Sequence, residues 1–259
     1  HPVIIDLTRI PHILIAGSDK LEKKTTINAF ILSLLYKSAP EALRLLLIDN
    51  DSNDLAIYDA LPHLLTPIIS DVQQVPNILI WCEQEMERRY RLMSSMGVRG
   101  IDDYNQALLL QGGADNLDKD TESLYNIVII INELSELMIT DVETQVEKSI
   151  TNLTRKARAV GIHIVLATQY PTVNVITGLV KTNIPTRMAF KVTNKSESRT
   201  ILGQIGAEDL LGQGDMLYMT AGTNTPVRVH GSTVSKSEVE NVIADLKSRA
   251  TPKYVSLGL

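Results

Sequence analysis

Cysteine is nearly absent from this 259-residue chain, which has only Cys82. One thiol cannot build an internal disulfide framework or a cysteine-rich metal site, and it fits a reducing compartment. Within "WCEQEMERRY" it falls on an expected helix as a buried or half-buried thiol. Metal-ligand spacing is missing too. His63 in "LPHLL" and His163 in "GIHIV" stand alone on apolar segments without a companion ligand, so no metal site is expected there. Nor is there an excess of positive charge: 25 Lys and Arg face 30 Asp and Glu, for a net charge of -5. That argues against a globally basic nucleic-acid binder but leaves room for local basic stripes.

No apolar run reaches the roughly 18 residues that span a bilayer. The longest, "HILIAG" and "NIVIIIN", read as buried strands. The start, "HPVIIDL", lacks an initiator Met, a basic stretch and a leader cleavage pattern, so the chain is expected to be cut from a longer sequence. The expected location is cytoplasmic, with no membrane segment in this chain and any anchor lying elsewhere in a full-length protein. No internal repeat is visible.

What the chain has is alternation. Short apolar runs, "PVIID", "HILIAG", "RLLLID", "NIVIIIN", "HIVLATQ" and "TRMAFKV", are separated by helical stretches at about 25–37, 71–95 and 142–159, and a helix at 236–249 closes the chain. Strands spaced by helices of this length predict an α/β fold with a mainly parallel sheet and helices on both faces. One domain over residues 1–250 is expected, with a polar, glycine-containing loop or insertion at about 111–126 and a C-terminal linker at 251–259. In such sheets ligands sit at the carboxyl ends of the strands, which here read "SDKLEKK", "NDSND", "ELSEL" and "YPTVN".

Several stretches then resemble the motor domain of the FtsK/SpoIIIE family of DNA translocases. They include "PHILIAG", "INAFILSLLYK", "LPHLLTPIISD", "WCEQEMERRYRLM", "RKARAVGIHIVLATQYPTVNVITGLVKTNIPTRMAF", "SRTIL" and "LLGQGDMLY", in order and nearly end to end. The resemblance implies a RecA-like P-loop NTPase fold, ATP and Mg²⁺ as cofactors where the site works, hexameric rings around double-stranded DNA, and a part in chromosome segregation. By the same resemblance Glu133, Gln169 and Arg199 take catalytic positions, Arg199 reaching into a neighbouring subunit. Gly17, Lys23, Lys24, Thr25, Asn132 and Asp215 take nucleotide-binding positions. Arg155, Lys156 and Arg158 match the basic loop facing the ring channel, where phosphate contacts bind DNA without reading sequence.

The motifs themselves depart from the family pattern. A phosphate loop reads G-x-x-x-x-G-K-[ST], its glycines letting backbone N–H groups wrap the phosphates while the lysine meets their oxygens and the hydroxyl holds Mg²⁺. In "AGSDKLEKKT" Gly17 and Lys23 keep their places, but Glu22 replaces the second glycine, Lys20 an inner glycine and Lys24 the hydroxyl residue. Side chains held in the left-handed region cost about 1–2 kcal/mol each unless the loop refolds. A carboxylate 4 Å from a phosphate oxygen costs about 4 kcal/mol at an effective dielectric of 20. Asn132-Glu133 stands where the family has Asp-Glu, Asp49-Asn50-Asp51 where it has Asp-Pro-Lys, and Tyr170 where it has Arg.

Two readings of the loop stay open: an anion drawn by Lys20, Lys23, Lys24 and the helix start, or a solvated loop that merely caps a helix. The leading expectation is a degraded ATP site that holds no cofactor, in a module that binds DNA or oligomerises, as a homo-oligomer or in a mixed ring with active FtsK-like subunits. The alternatives are a divergent but working ATP-driven translocase using Lys23 or Lys24 with Thr25, and a protein-interaction scaffold.

Overall fold

The computed structural model describes residues 2–50, 53–110, 122–223 and 225–257. Asp51 and most of the polar segment expected at about 111–126 lie outside them. Seven strands form one sheet in the order β2-β3-β4-β1-β5-β6-β7, with β1 His12–Ala16, β2 Leu43–Ile48, β3 Asn126–Ile131, β4 Ile162–Thr168, β5 Arg187–Ala189, β6 Asp215–Met219 and β7 Val227–His230. The first five run parallel; β6 and β7 are antiparallel additions at one edge.

The central strands are apolar throughout because both faces are covered. Along β1, Leu14 and Ala16 face a core closed by α2 Val75–Ser95, α3 Ile101–Leu110 and α5 Glu143–Lys156. Ile13 and Ile15 face the opposite core, closed by α1 Lys20–Leu35 and α8 Lys236–Arg249. The remaining helices, α4 Leu134–Met138, α6 Gly178–Asn183 and α7 Lys195–Leu202, join the first layer. Arg89, fully buried on α2, ties that helix down by donating to the carbonyls of Tyr125 (2.7 Å) and Val160 (2.8 Å) while pairing with Glu85 (2.7 Å).

Four sequence expectations need correction. "PVIID" forms no strand. Strand β6, which begins within "LLGQGDMLY", and α3 were not anticipated. The first helix begins at Lys20, not near Thr25. Its cause is local: Asp19 caps it by accepting from the amides of Leu21 (2.7 Å) and Glu22 (3.2 Å), and with glycines gone the Lys-Leu-Glu-Lys-Lys run favours helix. Lys20, Glu22 and Lys24 therefore avoid positive φ, and the expected backbone strain does not arise. The stretch after α8 touches the domain, Val255 donating to the Leu65 carbonyl (2.9 Å) and packing with Leu257 on the core.

Candidate functional site

Strands β3, β4 and β1 are neighbours, so the residues following them meet at one end of the sheet. The closest meeting is between Lys23 and Glu133. Lys23, only 1% exposed in the first turns of α1, donates from Nζ to Glu133 Oε2 (2.8 Å) and to the Asn132 carbonyl (2.7 Å). Glu133 also accepts from the hydroxyls of Ser135 and Thr168, both at 2.7 Å, and from the Gln169 amide (3.1 Å). Burial by itself raises a carboxyl pKa; here Lys23, Ser135 and Thr168 reverse that and hold Glu133 below its ordinary value. Asn132 points its amide the other way, donating to Asp49 Oδ1 (2.8 Å), and Asp49 Oδ2 accepts from the Leu55 amide (2.7 Å).

The other candidates around α1 divide between contact and separation. Gly17 is required by close packing: a Cβ there would lie 2.6 Å from the Phe190 Cβ. Lys24 turns away to Asp54 (2.9 Å), which Lys20 also approaches (3.6 Å), and Thr25 continues α1 half-buried. Glu22 Oε1 accepts from the Gly214 amide (3.1 Å), joining the helix start to the turn before β6. Asp215, next in that turn, is bound by Arg228 (2.6 Å) and by the Leu211 amide (2.8 Å); Arg228 holds its carboxyl down to about 2. Arg199 is exposed on α7, and its side chain has no hydrogen bond or ion pair among the described residues. The same helix does reach the site through Glu197, which accepts from Ser18 Oγ (3.3 Å).

Arg155, Lys156 and Arg158 lie at the opposite end of the sheet, at the close of α5 and in the short turn of helix before β4. Seven residues of β4 separate them from Thr168, about 20 Å at the usual strand rise. All three are exposed and line an open cleft of about 530 Å³ together with Tyr90, Asp102, Asp103 and His163. Arg158 donates to the Thr8 carbonyl (2.9 Å). On the neighbouring basic helix α2, Arg88 and Arg89 both pair with the single carboxylate Glu85.

Sequence reasoning missed Asp54, Ser135, Thr168 and the Glu22–Gly214 contact. The last joins residues 192 positions apart, and no spacing rule reaches that far.

A profile of the FtsK/SpoIIIE family matches residues 1–173. The chain belongs to the FtsK/SpoIIIE family. Across 98% of its length this FtsK/SpoIIIE chain is 49% identical to "DNA translocase FtsK 2" of Ralstonia nicotianae and 46% identical to "DNA translocase FtsK" of Pasteurella multocida. It spans about a third of those relatives, 34% and 29%. Among solved structures it is similar to the pCW3 conjugation coupling protein TcpA, described with ATPγS, at a TM-score of 0.78 and 24% identity over 94% of this chain and 66% of that one. The cytoplasmic domain of the type VII secretion ATPase EccC of Thermomonospora curvata matches at 0.78 and 20% identity over 96% of this chain and 29% of its own. At those identities the likeness shows the fold alone. No described helix is long and apolar enough to cross a membrane.

Proposed function

We propose that this FtsK/SpoIIIE domain binds double-stranded DNA, alone or in a ring of like or active subunits, without turning over ATP itself. The observation that carries the reading is the start of α1, where helix replaces the loop that would wrap phosphates. Asp19 already holds two of its amides, Glu22 brings a buried carboxylate, and Lys23 is committed to Glu133. Magnesium fares no better: Lys24 stands at the hydroxyl position, and Asn132 presents an amide to Asp49. MgATP does not fit the residues present. DNA contact is assigned to Arg155, Lys156 and Arg158, and Arg199 is left free for a neighbouring subunit.

One observation favours a second reading, a divergent translocase. Glu133, Gln169 and Lys23 still converge at the strand ends, and the Lys23–Glu133 pair needs only to open for the lysine to meet a phosphate. Calorimetry with MgATP, followed by phosphate release with DNA, separates the two. No saturable heat and no DNA-stimulated release is the expected result; one site per chain with stimulated release establishes the motor. DNA binding in the absence of ATP should weaken with salt, and Arg155→Ala and Lys156→Ala should each lower the log–log salt slope by about 0.9 if each contacts one phosphate. Unchanged binding and slope in both variants would remove the DNA assignment.

A further inference from the structure

We infer that Glu22 is a built-in anion: its carboxylate latches the start of α1 to the turn before β6 and closes that junction to phosphate. The inference rests on the reading of this site as nucleotide-free and adds what keeps it so.

Four donors at the junction are already matched by carboxylates of the chain. The amides of Leu21 and Glu22 go to Asp19, the ammonium of Lys23 to Glu133, and the amide of Gly214 to Glu22. Glu22 is 8% exposed, and its second oxygen, Oε2, is buried with no hydrogen-bond partner among the described residues. A phosphate oxygen brought toward this junction is repelled by the Glu22 carboxylate.

The partner turn has an unusual backbone that needs holding. Gly212, Gln213 and Gly214 run in succession at φ +89°, +58° and +95°, and Gln213 has no glycine's freedom at such a value. Two carboxylates brace it. Glu22 takes the Gly214 amide from one side, and Asp215 takes the Leu211 amide from the other. The turn comes so close that a Cβ on Gly212 would stand 3.4 Å from Glu22 Oε1. Gly214 in turn accepts from the Gly231 amide (2.7 Å), which carries the brace into the end of β7. A ligand-operated junction would join these elements through its ligand. Here they are joined directly, so the relation between α1 and the β6–β7 edge does not follow nucleotide supply.

Glu22→Gln and Glu22→Ala in the whole chain test this by hydrogen exchange at the Gly214 amide and by calorimetric titration with sodium tripolyphosphate. Exchange should quicken at least tenfold in Glu22→Ala and less in Glu22→Gln, whose neutral oxygen still accepts the bond. Tripolyphosphate should give no saturable heat with the parent protein and at least tenfold tighter binding with Glu22→Gln. If Glu22→Ala does not fold, Glu22→Gln carries both measurements. Gly214 exchange unchanged, or equal tripolyphosphate binding by the parent and Glu22→Gln, overturns the latch. MgATP binding by the parent overturns the nucleotide-free reading instead, so the two failures are told apart.

Discussion

Two groups of three basic residues, one at each end of the sheet, are treated in opposite ways. At the carboxyl end Lys20 and Lys24 share Asp54, and Lys23 is sealed against Glu133. At the amino end Arg155 and Lys156 are exposed with no side-chain partner among the described residues, and Arg158 makes only its bond to the Thr8 carbonyl. Equal numbers of cations thus give unequal capacity for anions. What decides is whether a carboxylate of the chain has already taken the charge, because a pair formed inside the protein must be broken before a phosphate gains anything. A count of lysines in "SDKLEKKT" does not register that their charges are already taken.

The strongest way to break this contrast is to remove the deepest pair by one partner. Glu133→Ala leaves Lys23, at 1% exposure, without its carboxylate partner and orphans the hydroxyls of Ser135 and Thr168. Loss of one member of such a pair costs about 3–5 kcal/mol, which in a domain of this size lowers the melting temperature by about 10 °C. Urea unfolding at pH 7 measures it. Replacing both members, Lys23→Met with Glu133→Leu, should recover most of the loss, while Arg155→Ala at the other end should stay within about 0.5 kcal/mol. A Glu133→Ala loss no larger than that of Arg155→Ala would mean the carboxyl-end pair is not sealed.

Acid sharpens the contrast from the other end. His12 opens β1 and His163 lies beside it in β4, both about 3% exposed. Burial first, then the repulsion of His163, pushes His12 down to about 3; burial also lowers His163 to about 4, with Arg89 and Arg158 adding to the shift and Asp6 opposing it. These folded values lie below the unfolded value of 6.5, so the stabilisation is complete above pH 6.5 and is lost as the pH falls through about 4 for His163 and about 3 for His12. Near pH 5 the unfolded chain binds almost two more protons at these sites, a slope of about 2.5 kcal/mol per pH unit. The depressed carboxyl of Glu133 gives way below its ordinary value of 4.5, so the interval from pH 7 to 5 reads mainly the histidines. Urea unfolding at pH 7, 6 and 5 reads the slope; a flat profile would show that the histidines are not buried in neutral form.

How much of this was legible depends on how local each cause is. Strands β1 to β4 stood out because sheets covered on both faces demand unbroken apolar runs. Helix α8 was read at both ends, and at its start Ser235 and Glu238, three residues apart, form a capping box. Strands β6 and β7 sit at the antiparallel edge, and β7, "VRVH", is mostly exposed and lacks such a run. The start of α1 was misplaced because a loop was assumed where Asp19 and the helix-forming residues after it had removed the need for one. Glu133 and Lys23 were named individually, but their bond spans 110 positions, and the orientation that makes it is a property of the packed sheet.

The smallest expected effect tests the contrast most finely. Asp54 is 8% exposed, whereas the side chains of Lys20 and Lys24 that lean on it are 54% and 41% exposed. Solvent screens such contacts, so Asp54→Asn should change stability by under about 1 kcal/mol. It nevertheless releases two cations at the carboxyl end without touching the amino end. If DNA is gripped only near Arg155, Lys156 and Arg158, DNA affinity at fixed salt should rise less than the Arg155→Ala variant lowers it, since the freed lysines lie at the other end of a sheet whose strand β4 alone spans about 20 Å, roughly two Debye lengths at 0.1 M salt. A rise as large as that loss would put Lys20 and Lys24 on the DNA-binding face, and the division between a self-paired end and an open end would collapse.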